Sequence, residues 1–153
     1  MIESYKQAIE EFKRVDHLYY VTLKYTRTVD VIRSTIERLI STFEYAVDAF
    51  LKCLKEEKVI GEIPMNPVGK VELAQNNVKN EDINRYMTDY LFLRRVMRED
   101  YTKREEFRRH VTMTVLIDNE EKEFNIDVLK EYYDDTRLFL TFVKEKVSKH
   151  KDD

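Results

Sequence analysis

The chain has 153 residues, room for one domain or two very small ones. Its 42% apolar content excludes wholesale disorder, and its 37% charged content nearly cancels to a net charge of −3. A balance so close to neutral argues against a protein that simply coats nucleic acid. Two glycines and two prolines argue against repeat-rich β folds and Gly-rich phosphate loops, and they favour long helices. The lone Cys53 leaves no intrachain disulfide and fits a reducing compartment. No apolar run approaches the ~20 residues of a membrane helix. The opening Met-Ile-Glu-Ser-Tyr-Lys lacks the basic and apolar regions of a signal peptide. The expectation is a soluble, cytoplasmic protein. Plentiful Lys and Glu, with little Gln and no Trp, give a bias seen in proteins of thermophiles.

Residues 2 to 25 repeat apolar side chains at helical spacing, from Tyr5 and Ala8 through Phe12 and Val15 to Leu23. Thr28 is placed to cap a second helix. That helix carries the strongest stripe of the chain, from Val29 and Ile32 to Phe50 and Leu54, over about seven turns at 3.6 residues each. Residues 59 to 69 hold both prolines and both glycines and read as a long loop. A short helix is expected over 70 to 78, then an Asn80-capped helix to about Glu99. Thr102 and Glu105 have capping-box spacing, so a further helix is expected from Lys103. Beyond His110 the pattern alternates, which predicts a β-hairpin at about 112 to 126. Asp127 is placed to cap the last helix, and residues 149 to 153 read as a frayed tail. The fold class is therefore mainly α. It should be one domain over 1 to 148, a bundle of about five helices with a small hairpin before the last.

Three histidines, His17, His110 and His150, lack metal-ligand spacing, so neither a metal nor a cofactor is expected. Cys53 lies on the buried stripe and reads as core. Ten tyrosines include the pairs Tyr19-Tyr20 and Tyr132-Tyr133, each expected to bury one ring and leave its neighbour near the rim. Core and subunit contacts account for them better than a base-stacking platform.

The segment 94 to 110 concentrates Arg94, Arg95, Arg98, Lys103, Arg104, Arg108 and Arg109 against Glu99, Asp100, Glu105 and Glu106, and it ends at His110. Phosphate binding needs Arg or Lys, and proton transfer near neutral pH needs His. The bland reading is a solvated helical ladder, with Glu105 four residues before Arg109 and Glu106 four before His110.

Arg104-Glu-Glu-Phe-Arg-Arg-His110 on a helical chain of this length resembles the Arg-x(4–6)-His motif of the HEPN superfamily. That resemblance implies a dimerising helical bundle and a metal-independent endoribonuclease, or an RNA- or nucleotide-binding protein, of toxin–antitoxin or defence type. It also implies Arg104 as the phosphate-binding cation and His110 as the proton-transfer group in attack by the RNA 2′-hydroxyl. Arg94, Arg95, Arg98, Arg108 and Arg109 are candidate contacts to flanking phosphates. The competing class is a non-catalytic helical adaptor that binds another protein. A homodimer is expected in either case, because Tyr45, Ala46 and Ala49 beside Phe43 and Phe50 give the second helix an apolar arc that needs cover on several sides.

Overall fold

The computed structural model describes residues 1–151. The first rod comprises α1 (Ile2–His17), a π-helical turn Leu18–Thr22, and a last turn α2 (Leu23–Tyr25). A three-residue corner leads into α3 (Val29–Glu56), where the Thr28 hydroxyl accepts from the Val31 N–H as its sequence position suggested. The short α4 spans Pro67–Gln75 and α5 spans Glu81–Val96. Three strands follow, β1 (Tyr101–Arg104), β2 (Thr112–Ile117) and β3 (Glu120–Phe124), and α6 (Ile126–Lys151) closes the described chain. The fold is mainly α with a small antiparallel sheet before the last helix. No helix among the described residues is long and apolar enough to cross a membrane.

Helix α3 is the centre of the bundle. Its residues from Ile32 to Leu39 pack with Val15 and Leu23 of the first rod, Leu93 and Val96 of α5, and Leu129 and Tyr133 of α6. Its C-terminal half packs with Ala8, with Ile83 to Tyr90 of α5, and with Phe139 to Val147 of α6. The pairing of ends shows that α1 and α5 run against α3, while α6 runs with it. Phe43 stacks between Tyr90 and Phe139, at centroid separations of 5.7 and 4.7 Å. Ala46 and Ala49 are fully buried. The apolar arc that led to the expectation of a second copy is thus covered within the chain, by α1, α4, α5 and α6. Cys53 is buried as core, and burial pushes its thiol up.

The sheet runs β1-β2-β3, with both pairings antiparallel. Its inner face sends Met113, Val115, Ile117 and Phe124 into the core beside the N-terminal half of α3. Asp118 and Asn119 both have positive φ, 53° and 66°, so the two-residue turn of the hairpin has its twist set by residues that tolerate the left-handed region.

Several local expectations are corrected. Residues 101–104 form a strand, not the start of a helix. Only one apolar side chain, Phe107, lies between Lys103 and Arg109, so a helix there would have no stripe to bury. Tyr101 instead pairs with Val115 across the ladder and lies under the Arg33 guanidinium, 4.0 Å from its ring centre. Asn125, not Asp127, caps α6: its side-chain oxygen accepts from Val128 N–H at 2.8 Å. The α4 helix begins earlier than expected because Asn66 caps it and Pro67 occupies its first turn. Helix α5 is capped by Asn80 as expected but ends at Val96. The expected frayed tail is helical through Lys151, and residues 152 and 153 lie outside the described residues.

Asp89 of α5 and Asp135 of α6 are both half-buried. Burial raises both carboxyls above the ordinary range, and Asp89's charge raises Asp135 further, with Arg85 opposing. A carboxyl whose folded pKa is raised is penalised in its charged form. Stability is lost as pH rises through the raised value and regained below the ordinary value of about 3.9. Asp89→Asn should therefore raise the thermal midpoint at neutral pH, and that gain should vanish near pH 3, in scans at both pH values. Phe139→Ala should cost about 3–5 kcal/mol in chemical denaturation, since the ring is fully buried against Phe43.

Candidate functional site

At the sheet end of the bundle three distant segments meet: the α2–α3 corner, the β1–β2 loop and the β3–α6 junction. Phe107 N–H donates to the Arg27 carbonyl at 2.6 Å, and Glu106 Oε2 accepts from Val29 N–H at 3.1 Å, at the start of α3. The acid is favourable there, where helical N–H groups lack partners. These bonds fix the loop against the corner. The loop bends sharply to reach them. Glu105 and Phe107 have φ of 57° and 64°, a conformation that costs a non-glycine residue about 1–3 kcal/mol. The Phe107 ring, 75% exposed, points into no core.

Where the segments converge lies a cavity of about 230 Å³, lined by Arg27, Arg109, His110, Asn125, Ile126 and Asp127. Asn125 to Asp127 are the N-cap and first residues of α6, whose leading N–H groups have no intrahelical partner. The Arg27 Nε is buried and makes no hydrogen bond. A buried donor without an acceptor costs about 1–3 kcal/mol, more for a charged group. Two guanidiniums, an imidazole and a helix N-terminus therefore surround one small space, against the single carboxylate of Asp127. Phosphate chemistry suits such a lining. A second cavity of about 180 Å³ adjoins it, sharing Arg27 and Ile126 and walled by Tyr19, Tyr20, Leu23 and Lys24.

Of the residues singled out in the sequence, His110 and Arg109 enter this cavity and Arg104 does not. Arg104 lies on β1, and its guanidinium binds Glu123 of β3 at 2.8 Å on the exposed side of the sheet. Arg94 pairs with Glu44 at 3.3 Å, and Arg95 takes Asp118 in a two-pronged contact at 2.7 and 3.1 Å. Arg108 reaches Glu105 at 3.9 Å. Lys103 sits between Asp30 and Glu106, at 3.3 and 3.8 Å. Arg98 and Arg109 have no ion pair among the described residues. The helical ladder of Glu105 with Arg109 and Glu106 with His110 does not form, because the segment is strand and loop. Arg27 and Asn125 escaped sequence reasoning, whereas the Tyr19-Tyr20 pair stands out there with core and subunit contact as the favoured reading. The only sequence signal for Arg27 was its place in a corner between two amphipathic rods.

Among the described residues, no group of three or more His, Cys, Asp or Glu side chains could hold a metal ion. No family model, no curated protein and no solved structure matches the chain. Arg104→Ala should lower stability by at most about 1 kcal/mol, because its ion pair is solvent-exposed; urea unfolding of the variant beside the wild type measures it.

Proposed function

We propose that the protein binds RNA or a nucleotide through a phosphate held in the cavity of Arg27, Arg109 and His110. The observation that carries this reading is the small cavity that gathers the Arg27 and Arg109 guanidiniums, the His110 imidazole and the start of α6 around one space. An oxyanion there would pair with the guanidiniums of Arg27 and Arg109. Arg109 is free of carboxylate partners among the described residues and would supply a charge-assisted bond. His110 would donate to a phosphate oxygen from the loop side, and the first N–H groups of α6 would face the ligand from the opposite segment.

The reading stops at binding. Arg104, the cation that the HEPN resemblance assigns to the scissile phosphate, is committed to Glu123. The resemblance contributes His110 to the reading, and Arg27 and Arg109 take the cationic role.

The test is calorimetric titration of wild type, Arg109→Ala and Arg104→Ala with 5′-phosphorylated oligoadenylate. Arg109→Ala should weaken binding roughly 10- to 100-fold, as loss of a hydrogen bond between charged groups does. Arg104→Ala should bind as wild type. An equal loss from both variants would move the site to the sheet face, and no binding by folded wild type would refute the reading.

A further inference from the structure

The adjoining cavity is unlike the phosphate cavity in chemistry. Its wall comes from the π turn, which carries Tyr19 and Tyr20. Tyr20 is half exposed, yet its ring is held on two sides. It meets Tyr19 edge to face at 5.0 Å and Tyr133 at 5.5 Å. Tyr19 donates from its own hydroxyl to the Ile126 carbonyl at 3.1 Å, which pins the aromatic wall to the start of α6. A preorganised, half-open ring of this kind loses little freedom when a second ring stacks on it.

Arg27 and Ile126 line both spaces, which therefore lie side by side. Each is smaller than the ~300–1,000 Å³ of an ordinary small-molecule pocket, and joined they come into that range. We propose that the two cavities form one site for a terminal nucleotide, a nucleoside with a phosphate monoester, whose base stacks against Tyr20. The inference rests on the phosphate reading above and adds the class of group attached to that phosphate. A monoester suits the cationic cavity better than a mid-chain diester, because its second negative charge meets both Arg27 and Arg109. The ribose would cross the Arg27 boundary between the two spaces. The nucleotide is either free or the 5′ end of an RNA, and both present the same chemistry here.

The experiment is calorimetric titration of the full chain with inorganic phosphate, AMP, adenosine, 5′-phosphorylated triadenylate and its 5′-hydroxyl counterpart. AMP should bind at least about tenfold tighter than phosphate or adenosine, the factor that base–aromatic stacking supplies. The phosphorylated triadenylate should bind at least tenfold tighter than the 5′-hydroxyl one. Whichever of AMP and the phosphorylated trinucleotide binds tighter identifies the source. Tyr20→Leu should bring AMP down toward the affinity for phosphate while phosphate binding stays unchanged, and Tyr20→Phe should restore AMP. Phosphate bound as tightly as AMP would overturn this inference and leave the phosphate reading standing. Equal binding of the two trinucleotides would also overturn it, by pointing to internal diesters. Binding of none of the five would overturn both.

Discussion

The structure depends on the need to cover α3. A helix of 28 residues with fourteen buried positions cannot be satisfied by one neighbour, because its apolar arc is far wider than a single contact stripe. Every other element serves as part of that cover. The first rod, α5 and α6 take the long flanks, the short α4 closes the C-terminal half, and the inner face of the sheet closes the N-terminal half. The small residues Ala46 and Ala49 let the covering helices approach closely, and Phe43 and Phe50 fill the wider gaps.

The same constraint shapes the end where the cavities lie. The N-terminal half of α3 is covered by the sheet, whose strands are too short to wrap the helix end. The β1–β2 loop therefore has to turn back onto the α2–α3 corner. Two left-handed non-glycine residues and a bond from Phe107 to the Arg27 carbonyl are the local consequence. The Arg27 Nε is buried at this corner without a hydrogen-bond partner. Elsewhere Thr35, Thr42 and Thr136 each donate to the carbonyl four residues earlier, and among the described residues only Asn84 Oδ1 on α5 shares the unmatched state of the Arg27 Nε.

Much of this architecture was legible in the sequence because it follows from periodicity and capping. The stripes of α1, α3, α5 and α6 repeat at helical spacing, and Thr28 and Asn80 cap where their side chains can reach. The alternation beyond His110 carried the hairpin. Strand β1 was not legible. Thr102 and Glu105 have the spacing of a capping box, and a four-residue strand with three exposed side chains offers too little alternation to compete with it. What decided the matter was the edge of β2, which pairs with this segment from 8 to 14 positions further on. The cavity was illegible because its residues come together only in the fold. His110 and Arg109 stood out within a basic run, but Arg27 lies more than 80 positions away and Asn125 looked like an ordinary strand end. Sequence position favours Asp127 as the cap, and only the chain path out of β3 gives Asn125 that role.

The basic run itself shows how counting charge misleads. Seven cations against four acids in residues 94 to 110 suggest a broad electropositive surface. The fold brings Glu44, Asp118, Glu123 and Asp30 from other segments to Arg94, Arg95, Arg104 and Lys103. These exposed pairs add little stability, but they flatten the local field, since each cation lies within 4 Å of an opposite charge. What is left is narrow: Arg109 beside Arg27 and His110 in a small recess, with Arg98 apart from it. A surface of this kind gives little long-range steering to a polyanion. It favours recognition of one anionic group at one place over tracking of an extended phosphate backbone.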